Sequence, residues 1–247
     1  MPRVKFFRRP RPVGRLLPNV ITLLSLCLGL TAWRWASSGE WTSSLLLLLI
    51  AGICDGMDGR LARFLRSATD LGAELDSLAD FVNFGVTPAM ILYLHSLHQS
   101  LTLGWMMCLV FAACSALRLA RFNVGRYQKT QGFLQFSVGL PAPAAAFISL
   151  MPLMMILGWG WNVPVEVTLV FQALSSALMV SRWPLFVLKN RRLSLDNVRW
   201  LLVGAVFIIG ALLVMPWTVF ILSGFVYLGS IPWCIWKHHR RPLLFLR

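Results

Sequence analysis

Trp41-Thr42-Ser43-Ser44-Leu45-Leu46-Leu47-Leu48-Leu49-Ile50-Ala51-Gly52-Ile53-Cys54-Asp55-Gly56-Met57-Asp58-Gly59-Arg60-Leu61-Ala62-Arg63-Phe64 begins as an apolar run and ends in charge. A helix crosses a bilayer with about 20 residues at about 1.5 Å each, so the run has the length of a membrane span. Its last ten residues carry two aspartates and two arginines. An ionisable side chain at the bilayer centre costs at least about 2.5 to 3.5 kcal/mol and less near the interface, so such residues usually face an interior cavity and serve a function. After a short polar connection comes a second acidic stretch, Gly72-Ala73-Glu74-Leu75-Asp76-Ser77-Leu78-Ala79-Asp80.

Outward from this segment the pattern repeats. The 247 residues are 57% hydrophobic and only 13% charged, with a mean hydropathy of +0.71, which excludes a soluble domain. Apolar runs over roughly 17–36, 41–64, 71–94, 101–120, 139–159, 165–188, 200–215 and 217–236 predict an all-α polytopic membrane protein of about eight transmembrane helices. The organisation expected is a basic arm (1–16), a six-helix membrane core (17–188) that carries the acids, and two additional helices with a basic tail (189–247). A net charge of +14 raises the question of nucleic-acid binding, and position answers it. The 23 Lys and Arg residues divide 22 to 1 between alternate connections, with only Arg34 on the minority side. That is a positive-inside pattern, which puts both termini in the cytoplasm, sets the basic loops against anionic headgroups and leaves no role for nucleic acid. Arg34, between Trp33 and Trp35, suits an outer interfacial belt.

The N-terminal arm resembles a signal peptide in its basic start and apolar sequel, but Trp33-Arg34-Trp35 stands where small cleavage-site residues belong, so an uncleaved tail is expected. Cys27, Cys54, Cys108, Cys114 and Cys234 are odd in number, lie in apolar runs and lack metal-type spacing, and read as packing residues. His95 with His98, and His238 with His239, have no thiol or carboxylate partner that would make a zinc site.

Six of the nine carboxylates fall between Asp55 and Asp80. At about 100° per residue, Asp55, Asp58, Gly59 and Ala62 share one helix face. Gly72, Asp76, Asp80, Asn83 and Thr87 share a face of the next helix, with Asp70 and Glu74 opposite. Ser67, Ala68, Thr69 and Asp70 make a tight turn, so the helices run antiparallel and their acidic faces can oppose. Four carboxylates then share one pocket, within about 15 Å of the cytoplasmic interface at 1.5 Å per residue. Arg60, Arg63 and Arg66 are too few and too far along to balance them.

Oxygen-only donors select hard cations, so the expected cofactors are two divalent cations, Mg²⁺ or Mn²⁺. Such a pair clamps the phosphoryl oxygens of an in-line displacement. Gly56, Gly59, Ala62 and Gly72 let a phosphate chain approach the backbone, or else serve small-residue helix packing.

The stretch Asp55 to Asp80 resembles, without a gap, the signature of the CDP-alcohol phosphotransferase family, D-x-x-D-G-x-x-A-R and then G-x-x-x-D-x-x-x-D. The resemblance implies that Asp55, Asp58 and Asp76 hold a metal pair. It implies that Asp80 is the general base, with a possible metal contact. Gly59, Ala62, Arg63 and Gly72 would line the CDP diphosphate and ribose. It further implies a homodimer in the bacterial inner membrane, with the active site facing the cytoplasm.

Three flanking stretches resemble the integral-membrane phosphatidylserine synthase subgroup: Leu17-Pro18-Asn19-Val20-Ile21-Thr22, Asp76 through Ala89, and Ala116 through Val124 with Gly139 through Ala145 soon after. Asn83 departs from the Ser common there. The implied substrates are CDP-diacylglycerol and L-serine, the products phosphatidylserine and CMP. Arg118 and Arg121 could hold a carboxylate or lipid phosphate, or simply set topology. Asn83 and Thr87 could bind the acceptor or hydrogen-bond between helices, and Asn19 and Thr22 could hold cytidine or cap the first helix. Two other readings compete. One keeps the chemistry with glycerol phosphate or inositol phosphate as acceptor. The other is a divalent-cation transporter, whose acids should reach the midplane rather than sit at one end of two adjacent helices.

Overall fold

In the computed structural model, the described residues are 16–65, 69–127, 139–181 and 195–239, with the side chains of 125–127, 195–202 and 232–239 set aside. The basic arm, the turn residues Arg66, Ser67 and Ala68, and the basic stretches within 182–194 and 240–247 lie outside them. Among the described residues every regular element is a helix. The chain divides into two compact units, Met1–Asn83 and Phe84–Arg247.

The first unit is built on α1 (Leu17–Ser37), α2 (Trp41–Phe64) and α3 (Asp70–Asp80). The buried face of α1 consists of Pro18, Thr22, Ser25, Gly29, Ala32 and Ala36. Their three-and-four spacing draws one stripe of small and hydroxyl-bearing residues along the helix. Small side chains bring backbones close, and the hydroxyls satisfy carbonyls across the gap. Ser44 Oγ donates to the Ala32 carbonyl at 2.7 Å and Ser25 Oγ to the Ala51 carbonyl at 2.8 Å, so α1 and α2 run antiparallel. At the other edge of α1, Asn19 lies against Gly72 and Gly29 against Asn83, so α1 and α3 run parallel. It follows that α2 and α3 are antiparallel, as the sequence predicts. Their backbones do not pack closely on each other; α1 is the helix that packs against both. Thr69 begins α3 as an N-cap, its hydroxyl accepting from the Gly72 N–H at 3.1 Å, with Asp70 in the first turn where the helix dipole favours an anion.

The helix expected over 71–94 is not uniform. A π-helical turn, Phe81–Val86, separates α3 from α4 (Thr87–His95). An i→i+5 turn advances fewer degrees per residue than an α-helix, so residues beyond Asp80 rotate off the line that α-helical spacing assigns them.

The second unit contains α4, a 3₁₀ turn (Leu97–Ser100), α5 (Leu101–Tyr127), α6 (Ala142–Ser149), α7 (Met151–Trp159), α8 (Val165–Val180), α9 (Leu195–Val214) and α10 (Pro216–His239). The single helix expected over 139–159 is two helices bent by 46°. Pro152 causes the break, because it has no N–H for the Ile148 carbonyl and its ring crowds that carbonyl. Residues 139–141 precede the helix: Gly139 has φ +91° and Leu140 N–H bonds the Leu178 carbonyl at 3.1 Å. A Cβ on Gly139 would stand 2.8 Å from the carbonyl oxygens of both Met179 and Ser181, so only glycine fits there.

Among the described residues, three helical segments, Leu17–Ser37, Asp70–His95 and Leu97–Val124, are long and apolar enough to cross a membrane, and the bent pair α6–α7 is a fourth if taken as one span.

Candidate metal and diphosphate site

The acids that the sequence places on two facing helices meet in the first unit. One carboxylate oxygen from each of Asp55, Asp58 and Asp76 lies within 4.8 Å of the others. Asp80 stands at the Asp55 edge of this set, within hydrogen-bonding reach of the Asp55 carboxyl. Asp58 is the most enclosed, with 4% of its surface exposed. Glu74 and Asp70 are exposed on the opposite side of α3.

Like charges this close need a counter-ion or shared protons. Asp55 Oδ1 is buried with no hydrogen-bond partner, an acceptor left open on one of the clustered acids. Oxygen donors at this separation, one of them unsatisfied, fit a hard divalent cation. Asp55, Asp58 and Asp76 are the residues that could hold it.

Helix α1 supplies the support. Thr22 Oγ1 donates to Asp58 Oδ2 at 2.5 Å, and the buried hydroxyl also lies 3.1 Å from the Pro18 carbonyl. Thr22 thus supports a candidate ligand from α1, a contact that the sequence reading does not include. Asn19 meets Gly72, where a Cβ would come 2.8 Å from Asn19 Oδ1. Close approach between α1 and α3 accounts for glycine at that position.

Gly56 and Gly59 behave differently. A Cβ built on either finds no described atom within 4 Å. Helix packing gives no reason for these two glycines in this unit, and ligand approach to the backbone does. Arg63 is exposed and turns its Nε back onto the Gly59 carbonyl at 3.1 Å, while Ala62 is half-buried beside it. Alanine is the better helix former in open space, so Gly59→Ala is expected to leave thermal stability unchanged or raise it by about 0.5–1 kcal/mol. Turnover should nevertheless fall. A variant equally stable and fully active in CMP release would overturn the ligand-approach explanation.

Of the residues considered for the acceptor, Asn83 belongs to the unit that carries the acids, and Thr87, Arg118 and Arg121 belong to the second unit. Thr87 is fully buried. Arg121 donates from Nη1 to the Val180 carbonyl at 3.1 Å, a cation capping the C-terminus of α8. Arg118 is half-buried on α5. Sequence reasoning passes over Ser25 and Gly29, although the 22-25-29 spacing of α1 carries the signal.

Residues 15–188 match the CDP-alcohol phosphatidyltransferase family, and the chain belongs to it. Its relatives include a Mycobacterium bovis protein named CDP-diacylglycerol–serine O-phosphatidyltransferase, 42% identical over 185 residues that make up 71% of this chain and 64% of that one. A Mycobacterium tuberculosis protein of the same name is 45% identical over 161 residues, 61% of this chain and 56% of the relative. A Bacillus subtilis protein, again of that name, is 32% identical over 186 residues, 74% of this chain and 98% of the relative. The chain thus spans under two thirds of the length of these mycobacterial relatives.

Proposed function

We propose that this chain transfers the phosphatidyl group of CDP-diacylglycerol to L-serine, giving phosphatidylserine and CMP. The observation that carries the reading is the convergence of Asp55, Asp58 and Asp76 beside Asp80, in a chain whose relatives bear the name of that reaction. Asp55, Asp58 and Asp76 hold two divalent cations, Mg²⁺ or Mn²⁺. When bound, these ions neutralise diphosphate charge and stabilise the charge that develops at phosphorus.

The protein's own groups do the rest. Gly59, Ala62, Arg63 and Gly72 line the CDP moiety, with Gly56 and Gly59 leaving the backbone open to the diphosphate. Asp80 removes the proton from the serine hydroxyl. The serine oxygen attacks the phosphorus that bears diacylglycerol, the bond from that phosphorus to the oxygen bridging to CMP breaks, and CMP departs with the electron pair. Acyl chains remain among the apolar helix faces.

The same reading places eight spans in the cytoplasmic membrane of a bacterium, both termini and the site facing the cytoplasm, in a homodimer. The charge distribution of the loops supports the orientation. The test is transfer of label from L-serine to a chloroform-soluble product by detergent-purified protein given CDP-diacylglycerol, with Mn²⁺ or Mg²⁺ and with chelator. Label from serine only when metal is present is the expected result. CMP release with glycerol phosphate or inositol phosphate, and none with serine, would overturn the acceptor while keeping the acids in place.

A further inference from the structure

Asn83 lies in the π-helical turn just after Asp80 and is fully buried. Its Nδ2 donates to Ser25 Oγ at 2.9 Å, and Ser25 spends its own hydrogen on the Ala51 carbonyl at 2.8 Å. One hydroxyl of α1 therefore ties the end of the α3 segment to α2. Because that hydrogen is committed, the amide must be the donor, which fixes its orientation and turns Oδ1 toward Gly29. A Cβ on Gly29 would stand 2.0 Å from Oδ1 and 2.9 Å from Cγ of Asn83. No N–H or O–H reaches Oδ1. It takes up the space of an absent side chain, facing the Gly29 Cα–H.

The position of this knot in the chain is what makes it informative. Ala51 is one helical turn before Asp55, and Asn83 is three residues after Asp80. On α1, Ser25 is one turn beyond Thr22, which bonds Asp58. A Cβ placed on Gly29 would meet Asn83, so within the π turn this residue faces α1. With its Nδ2 bound to Ser25 and no exposed surface, Asn83 is poorly placed to read a polar acceptor.

We infer that Asn83 is a positioning residue for the acid cluster: held between Ser25 and Gly29, it fixes the rise and rotation of α3 on α1 and α2 so that Asp76 and Asp80 meet Asp55 and Asp58. This rests on the metal reading proposed above, and supporting groups behind metal ligands typically account for 10–100-fold in affinity. The decisive measurement is Mn²⁺ titration of the purified full chain in detergent, followed by electron paramagnetic resonance, beside the serine KM. Asn83→Ala and Gly29→Ala are each expected to weaken Mn²⁺ binding by about tenfold or more and to lower kcat, with serine KM unchanged.

Ser44→Ala is the control, since it removes a comparable buried hydroxyl-to-carbonyl bond between α1 and α2 away from the acids. It should lower thermal stability and leave the Mn²⁺ midpoint in place. Asn83→Ala only deletes atoms, so it decides the matter alone if Gly29→Ala does not accumulate. Equal Mn²⁺ midpoints in wild type and Asn83→Ala, a selective rise in serine KM, or an equal weakening in Ser44→Ala would each overturn the inference. Absence of Mn²⁺ binding by the wild-type chain would remove the metal reading itself and this inference with it.

Discussion

Asp76→Ala is expected to reduce metal-dependent CMP release by at least about 10³-fold while the protein still elutes as a folded species in detergent. The effect should be this large because Asp76 is the only one of the three clustered acids that comes from α3; Asp55 and Asp58 both lie on α2. Without it the three-acid set keeps donors from α2 only, and a cation held by the set would lose its ligand from α3. Folding should survive because the side chain removed is a half-buried carboxylate among other carboxylates, and its loss relieves repulsion. Glu74→Ala, two residues away on the exposed face, should change turnover by less than about twofold, as surface substitutions away from a site usually do. The check is CMP release at saturating Mn²⁺ with a parallel count of bound Mn²⁺. Turnover retained by Asp76→Ala would exclude the metal assignment.

The acidic pair of faces is legible in the sequence because its signal is periodic. Asp55 with Asp58, and Asp76 with Asp80, are spaced by three and four, and the helices that carry them are regular up to Asp80. Legibility ends where regularity ends. Nothing in the apolar pattern encodes the π turn at Phe81–Val86, in which Asn83 lies. The break before Pro152 was open to view in the sequence, yet the apolar run across it reads as a single span. The support from α1 was hidden for a different reason. Thr22 and Asn19 are polar residues near a helix start, which invites a capping or ligand role, while their actual partners, Asp58 and Gly72, lie 36 and 53 residues away in the chain. Long-range pairing of this kind has no local signature beyond the stripe of small residues that permits it. Gly56 and Gly59 show the complementary case: the sequence admits both packing and ligand approach, and the open space over them favours the second.

Asp80→Asn separates the two jobs that an aspartate at this position can have. Asp55, Asp58 and Asp76 bring their oxygens within 4.8 Å of one another, and Asp80 stands outside that set, against Asp55. A group so placed would adjoin a bound cation rather than hold it, which would suit a base acting on a hydroxyl brought up to the same phosphorus. The amide is nearly isosteric and can still hydrogen-bond to Asp55, so the fold and the three-acid set should persist. It cannot take up a proton at neutral pH, and turnover should therefore fall by about 10²–10⁴-fold, the range for loss of a positioned base. Mn²⁺ binding should stay within about threefold of wild type, well short of the 10–100-fold that loss of even a supporting group costs a metal site. A coupled collapse of both quantities would instead make Asp80 a fourth ligand and leave the proton to another acceptor. Unchanged turnover would remove Asp80 from the chemistry altogether, because no base is then missed when its carboxylate is gone.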